Sequence, residues 1–465
     1  MPANKTSIHF DISERKVLLR LIDIAVVLAM LYMVSQLFNF DYFKINAVHW
    51  VWSIVLGIYL TIFATIFELY NLQKAGKFEV TIQNIILTTS VTVLFYLLTP
   101  FFTPELPENR LQIVYFYISI NLSLILWRYV YVTFVSAARF NKRVLLIADG
   151  PEIERIIDSL EASDPNYKVV GYVKSGENNY TGQHRVSLLE FKNSELFDLV
   201  KEHTISEVVV AAPAYEGITL PLYNQLLHML ESGVSIREYT QVYEDINRRV
   251  PVQQIDQDFY KFFPFSRSNQ NKLYLFFHRG LDLFLSVIGL VLGLLLSPIV
   301  FIGNIIGNRG PLFYTQERVG KNGIPFKIFK LRSMVVDAEK TGAQFAQKGD
   351  IRVTKFGRFL RNTRLDEIPQ FLNVIKGEMS IIGPRPERTV FVNELSEKIP
   401  FYEVRHLVKP GVTGWAQVNA DYGSTDADAL RKLQFDLYYI KHRSFFLDIS
   451  IIVKTLSTII FYRGQ

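Results

Sequence analysis

The chain has 465 residues, 49% of them apolar, a formal charge of +6 and no cysteine. That length exceeds one typical core and points to two or more domains, while the missing cysteine excludes a disulfide framework and any thiolate metal site, as suits a cytosol-facing protein. The positive charge admits nucleic acid, anionic lipid or phosphorylated substrates as partners and does not choose among them.

Four apolar runs come first, at about 17–38, 49–69, 80–102 and 112–135, each long enough to carry a helix across a bilayer. The first follows a polar tail and has no small-residue cleavage site behind it, so it is expected to remain as an anchor and not to be removed as a signal peptide. Lys74 and Lys77 in the second loop, with Arg139, Lys142 and Arg143 after the fourth run, outweigh Lys44 and Arg110 in the other two loops. By the positive-inside rule both ends of this bundle, residues 1–139, face the cytoplasm. Arg20, Asp23 and Arg128 lie within or near the spans. They either mark a functional path or, the favoured expectation, snorkel to the interface.

From Lys142 the pattern changes. Strand-like runs at Val144–Ala148, Val169–Val173 and Val208–Ala212 alternate with helical periodicity at Ile153, Ile156, Ile157 and Leu160, which predicts a small open parallel sheet of Rossmann-like α/β type over 140–250. The turn Asp149-Gly150-Pro151-Glu152 lacks the glycine spacing of a dinucleotide fingerprint and sets acids where a pyrophosphate would lie. A structural or dimerisation role is expected there in preference to cofactor binding. Residues 251–275, with Pro251 and Pro264, are expected to form a connector.

Phe276–Asp282 then leads into an apolar stretch from Leu283 to about Ile306, interrupted by Ser297-Pro298. By length it is a fifth candidate span. Pro298 removes an N–H and bends the helix, at a point where the Ser297 hydroxyl can satisfy a freed carbonyl.

Asn308–Gly320 and Gly323–Met334 combine turn residues with basic side chains, and Asp350–Arg361 leads on to Arg361-Asn-Thr-Arg-Leu-Asp-Glu-Ile-Pro-Gln-Phe-Leu-Asn-Val374 and Lys376-Gly-Glu-Met-Ser-Ile-Ile-Gly-Pro-Arg-Pro386. Pro369 fits the first turn of a helix, which would place the adjacent acids Asp366 and Glu367 at its N-terminus. Backbone N–H groups and the macrodipole favour an ionised carboxylate or a bound phosphate at such a place. Gln370 and Asn373 would continue the face of Asp366.

The motifs Leu-Asp-Glu-Ile-Pro-Gln, Asn-Val-Ile-Lys-Gly-Glu-Met-Ser and Gly-Pro-Arg-Pro resemble the catalytic signature of the bacterial polyprenyl-phosphate hexose-1-phosphate transferases. The likeness extends over about 190 residues, from Phe276 on. It implies a multi-pass enzyme of the bacterial cytoplasmic membrane: a four-helix transmembrane bundle, a degenerate Rossmann-like module, and an α-rich mixed catalytic domain, 276–465, on the cytoplasmic face. It also implies that the stretch after Phe276 is re-entrant, with Ser297-Pro298 at the bend and His278-Arg279 where the pattern usually has Lys-Arg.

In such an enzyme Asp366 attacks the β-phosphorus of a UDP-sugar, expels UMP and holds the sugar 1-phosphate as an acyl phosphate, which undecaprenyl phosphate then attacks. The resemblance implies that Asp366 also takes part in binding the metal, with Glu367 assisting proton transfer or metal placement. Mg²⁺, with Asp366 and Glu367 as its expected ligands, fits such an all-oxygen site. Arg385, whose guanidinium fork can pair with phosphate oxygens in a bidentate manner, is the expected phosphate clamp. Arg361, Arg279 and Gln370 are further substrate-binding candidates. Arg364 stands where the pattern has a small Ser, so no role transfers to it. UDP-glucose is the expected donor, a homodimer the expected state, and exopolysaccharide, capsule or O-antigen synthesis the expected setting. A direct, non-covalent metal-dependent transfer is the alternative, and a non-enzymatic membrane scaffold the other.

Nucleic acid is not an expected partner, since basic and acidic residues interleave and no nucleic-acid module is recognisable. Lys409-Pro-Gly-Val-Thr-Gly-Trp-Ala-Gln-Val-Asn419 also resembles the family, with Ala420 where the pattern ends in Gly. Trp415 is open to three readings: stacking on uracil, lying at the interface, or filling the core. Phe445 to Tyr462 reads as an interfacial or packing helix.

Overall fold

A computed structural model gives the fold of the protein. It describes residues 12–38, 40–67, 69–70, 78–135, 142–148, 153–163, 167–174, 189–190, 196–211, 219–252, 271–336, 338, 350–420, 423 and 425–460. The chain divides into two compact units, Met1–Asn247 and Arg248–Gln465.

The first unit opens with four helices, α1 (Ile12–Leu37), α2 (Trp50–Ile66), α3 (Phe78–Leu97) and α4 (Leu111–Val130). Val17–Leu37 and Leu111–Thr133 are long and apolar enough to cross a membrane, whereas Trp50–Ile66 and Thr81–Leu97 are apolar but shorter. At 1.5 Å per residue a 17-residue helix reaches about 26 Å, just under the usual hydrocarbon thickness. The four expected spans thus appear as four helices, two of them of marginal length. Their shared core is aromatic, with the rings of Tyr96 and Phe43 at 5.4 and 5.6 Å from that of Phe116.

Asp23 and Arg128 do not snorkel. Arg128 Nη2 donates to Asp23 Oδ2 at 2.6 Å, and both side chains are fully buried. Facing one another from α1 and α4, they avoid the cost of an unpaired charge in apolar surroundings.

The rest of this unit contains a five-stranded parallel sheet in the order β3-β2-β1-β4-β5. Its strands are β1 (Lys142–Ala148), β2 (Tyr167–Lys174), β3 (Leu189–Glu190), β4 (Glu207–Val210) and β5 (Ser235–Glu238). Strand β1 buries Val144, Leu146 and Ala148 against Ile153, Ile156 and Leu160 of one helix and Val242 of another. It turns Leu145 and Ile147 to Leu196, Val200 and Leu222 on the opposite face. Both faces are covered, as a parallel sheet requires. The turn Asp149–Glu152 lies outside the described residues.

The second unit begins at Arg248, and Val250 and Val252 already belong to its core. Of the expected connector, residues 253–270 lie outside the described residues. A long helix, α9 (Lys272–Gly303), follows and is capped by the Asn271 side chain, which accepts from the N–H groups of Leu273 and Tyr274. (Helices α5 to α8 are Ile153–Ser163, Leu196–Glu202, Leu220–Glu231 and Tyr239–Asn247.) The expected break at Ser297-Pro298 is not a helix end, because α9 continues across it. The absent N–H of Pro298 leaves the Leu294 carbonyl, four residues earlier, without its helical donor. The Ser297 hydroxyl donates to that same carbonyl at 2.7 Å.

Beyond a π-type turn, Asn304–Asn308, come the antiparallel hairpin β6 (Phe313–Val319) and β7 (Pro325–Leu331), then α10 (Lys355–Asn362), a 3-10 turn Leu365–Glu367 and α11 (Gln370–Lys376). Strand β8 (Ser380–Ile382) pairs in parallel with β9 (Gly411–Thr413), and the helices α12 (Thr389–Lys398), α13 (Trp415–Asn419), α14 (Asp426–His442) and α15 (Phe445–Ile460) complete the unit.

The domain packs along most of the length of α9. Gly289 and Gly293 seat Phe371 and Ile368, and Gly303 with the following Gly307 seats Phe356; a Cβ at any of the four would collide with these side chains. Near the start of the helix His278 bridges Asp448 and Ser380, at 3.0 Å each, and the Ser380 hydroxyl donates to Asp282. Asp448, His278 and Ser380 have the order of a nucleophilic triad, but Ser380 is 1% exposed and its proton is committed to Asp282. The network fastens the helix. On other faces α9 exposes Phe284, Val287, Val291, Leu295, Ile299 and Ile302.

Trp415 is core: its ring is buried, its Nε1 donates to the Arg248 carbonyl, and Tyr438 stacks beside it. Ala420 has φ −96° and ψ 141°, an extended conformation that needs no glycine.

Candidate active site

The two acids stand on the 3-10 turn Leu365–Glu367, just ahead of α11, and Pro369 is the N-cap of that helix and not a residue of its first turn. Arg364 opens this turn in the left-handed region, φ 57°, a conformation few residues with a Cβ adopt. Because α11 has only seven residues, side-chain cations and not a helix dipole dominate the field at the acids. Both acids are buried.

Their environments differ. Glu367 Oε1 accepts from Arg385 Nη2 at 2.6 Å and from Lys330 Nζ at 3.4 Å, and Arg364 Nη1 lies 4.0 Å from Oε2. Burial works against its ionisation, but Arg385, Lys330 and Arg364 together outweigh it and hold this carboxyl well below the usual range. Among the described residues Asp366 has no such clamp, and its buried Oδ1 has no hydrogen-bond partner. Burial, then the neighbouring Glu367 anion, push its carboxyl up to about 6 against the opposing pull of Lys330, Arg361 and Arg364. One acid is therefore fixed as an anion and the other is left with an unsatisfied oxygen.

Lys330 was not among the candidates read from the sequence. It shares the parity of Phe326 and Ile328, the buried positions of β7, and a lysine at an inward strand position is the signal that could have found it. Burial pushes its ammonium down to about 8, with Glu367 opposing. Arg318 was missed as well: it donates to the Pro386 carbonyl at 3.2 Å and so supports the Gly-Pro-Arg-Pro turn. Arg405 supports the same turn, bonding the Arg385 carbonyl at 2.9 Å while paired with Asp436 at 2.8 Å.

The sequence candidates separate into those at the dyad and those elsewhere. Arg385 is at the dyad, and Arg361, whose Nε donates to Ser333 Oγ, adds to the field on Asp366. Gln370, one turn beyond Asp366, is buried, and its Nε2 has no partner among the described residues. Asn373 is taken by the hairpin, accepting from Phe329 N–H and donating to the Lys327 carbonyl. Arg279 stands at the opposite end of α11, where its guanidinium donates to the carbonyls of Val374 and Ile375. That places it as a cap on the helix. Ser297 and Pro298 belong to α9 and not to the dyad.

Among the described residues no group of three or more His, Cys, Asp or Glu side chains could by itself hold a metal ion. Two adjacent carboxylates, one with an orphaned buried oxygen, do fit a hard divalent cation that completes its shell with substrate phosphates and water.

Residues 273–462 match a family described as bacterial sugar transferase, and residues 65–228 match one described as CoA-binding domain. The chain is 47% identical over 190 residues to the UDP-N-acetylgalactosamine-undecaprenyl-phosphate N-acetylgalactosaminephosphotransferase of Aeromonas hydrophila, covering 40% of this chain and 44% of that one. It is 47% identical over 161 residues to a Bacillus subtilis protein provisionally named undecaprenyl-phosphate N-acetylgalactosaminyl 1-phosphate transferase, covering 35% of this chain and 86% of that one. With the UDP-glucose:undecaprenyl-phosphate glucose-1-phosphate transferase of Klebsiella pneumoniae it shares 33% identity over 294 residues, 60% of each chain. The matches thus span less than two thirds of the Aeromonas and Klebsiella proteins and most of the Bacillus one.

Proposed function

Because the chain belongs to the bacterial sugar transferase family, we propose that it transfers hexose 1-phosphate from a UDP-sugar to undecaprenyl phosphate at the cytoplasmic face of a bacterial membrane, releasing UMP. The observation that carries this proposal is the split of the dyad. Asp366 keeps a free buried oxygen while Glu367 is locked to Arg385 and Lys330.

In the proposed reaction an Asp366 oxygen attacks the β-phosphorus of the UDP-sugar. The bond from that phosphorus to the bridging oxygen breaks, and UMP leaves with the electron pair. An oxygen of undecaprenyl phosphate then attacks the same phosphorus and returns Asp366 as a carboxylate. Arg385, Lys330, Arg361 and Arg364 surround the dyad with positive charge, which lowers the cost of bringing an anion to a pyrophosphate. Asp366, with Glu367 behind it, would hold Mg²⁺, which when bound neutralises charge on the substrate phosphates.

The reaction needs its donor site on the cytosolic side, so α9 must enter and leave the bilayer on one face. In support, the domain packs against α9 both before and after Pro298, at Gly289, Gly293 and Gly303, as expected if both halves lie on the domain's side of the bilayer. The donor proposed is UDP-glucose, as named for the Klebsiella relative. A UDP-N-acetylhexosamine is the second reading, favoured by the names of the Aeromonas and Bacillus relatives.

The deciding experiment offers purified protein a panel of UDP-sugars labelled in the β-phosphate, with and without undecaprenyl phosphate. UMP release, with label retained on wild-type protein and absent from Asp366→Asn, is expected. Full turnover with no protein-bound label would leave the direct, non-covalent transfer in its place.

A further inference from the structure

Arg20, Ile24 and Leu28 recur every four residues along α1 and so share one face of it. Ile24 and Leu28 form one wall of a groove of about 480 Å³ whose other wall includes Gly57, Ile58 and Ile62 of α2. The lining is almost wholly apolar. Arg20 stands one turn before Ile24 on the same face of α1, just beyond the residues that line the groove, half-buried and with its guanidinium 5.2 Å from the centre of the Tyr70 ring.

The Arg128 guanidinium lies 5.8 Å from the same ring. It spends Nη2 on Asp23, and among the described residues its buried Nε and Nη1 have no hydrogen-bond partner, nor does Arg20 Nε; Asp23 Oδ1 and the Tyr70 hydroxyl are likewise without one. Among the described residues, the guanidinium groups of Arg20 and Arg128 share the Tyr70 ring, and Asp23 is paired with Arg128. Unspent donors and surplus positive charge at the end of an apolar groove suit an anion that carries an apolar tail.

We propose that the N-terminal bundle binds a single-chain lipid phosphate, Arg20 taking the phosphate and the α1–α2 groove taking the chain. One groove accommodates one chain, which favours a polyprenyl phosphate over a two-chain phospholipid. The identification of that lipid rests on the transferase reading; the site itself rests on Arg20, Arg128 and the groove.

The test uses the full chain in nanodiscs and a polyprenyl phosphate carrying a diazirine in the isoprene unit next to the phosphate, with labelled peptides mapped by mass spectrometry. Label is expected on α1 and α2, competed by excess undecaprenyl phosphate and not by the free polyprenol or by phosphatidylglycerol. Arg20→Gln is expected to reduce that label about tenfold, as loss of a cation beside a lipid phosphate should. Gly57→Leu should do the same by filling the groove, since a Cβ at Gly57 meets Ile24 only at 3.5 Å, an ordinary contact.

An unlabelled α1–α2 pair in wild type, label unchanged in both variants, or equal competition by phosphatidylglycerol would each overturn the proposal. Should Arg20→Gln fail to fold, Gly57→Leu decides alone. UMP release is measured on the same wild-type sample. Label without UMP release counts against the transferase reading and leaves this site standing, and UMP release without label on α1–α2 does the reverse.

Discussion

The Arg385 guanidinium meets the Glu367 carboxylate at 2.6 Å, while Asp366, the next residue in the chain, keeps an oxygen with no partner. This contact gives two neighbouring acids different surroundings. Arg385→Lys preserves the charge but loses the planar fork, so kcat/KM for UMP release is expected to fall about 10²-fold or more with the circular dichroism spectrum unchanged. Undiminished activity in this variant would remove Arg385 from the site.

Acid should inhibit the enzyme through Asp366. Burial and the Glu367 anion raise its carboxyl above the usual range, so the fraction able to act as a nucleophile shrinks as pH falls, and kcat/KM should fall with it, at a lower pH as Mg²⁺ is raised. Stability should show the same group with its own sign. Between the ordinary 3.8 and about 6 the native chain holds a proton that the unfolded chain releases, so the contribution of Asp366 to stability declines as pH rises across that window. Asp366→Asn is therefore expected to be inactive yet more stable than wild type near neutral pH, by on the order of 1–3 kcal/mol, with the gain vanishing near pH 4. Thermal unfolding at the two pH values tests the pair of statements.

Lys330 should set the alkaline limb. Its ammonium, lowered to about 8, loses charge above that pH and ceases to support Glu367, which makes the profile bell-shaped. Lys330→Arg supplies a cation that does not deprotonate in the accessible range. In that variant the alkaline limb should disappear even if the maximal rate is lower. A limb that stays in place would belong to another group.

Docking of α9 should depend on the glycines that face the domain. Gly289→Ala drives a Cβ into the Phe371 ring, and overpacking of this kind costs about 1–3 kcal/mol. The loss should be recovered in part by Phe371→Leu in the same chain, read as a double-mutant cycle on thermal stability. Additive losses would show that the two residues do not meet.

The orientation of α9 can be read directly because the chain has no cysteine. Lys272→Cys, at the first residue of α9, and Lys321→Cys, beyond its end, both at exposed positions, should react with an impermeant maleimide in inside-out vesicles only. Reaction from opposite faces would make α9 a crossing helix and separate the domain from cytosolic nucleotide sugars.

How much of this was legible beforehand depended on range. The apolar runs of the four N-terminal helices, the alternation that makes the parallel sheet, and the carbonyl freed by Pro298 all follow from residues within a few positions of one another. The chain displays such relations directly. Lys330, 36 positions before Asp366, Arg128, 105 positions after Asp23, and Arg279, which faces carbonyls 95 and 96 residues on, acquire their roles only where the backbone returns.

The amino-acid order alone, through motifs that resemble a known family, pointed to sugar-phosphate transfer and offered Asp366 as a nucleophile candidate, since those motifs are continuous local patterns. It also determined which segments are apolar enough to meet lipid. Only the tertiary structure decided which acid is clamped and which is free, that Trp415 fills the core, and that Arg128 pairs with Asp23 inside the bundle. Burial and Coulomb interaction act across space, and their size at any one carboxylate depends on side chains that folding brings within a few ångströms from distant parts of the chain.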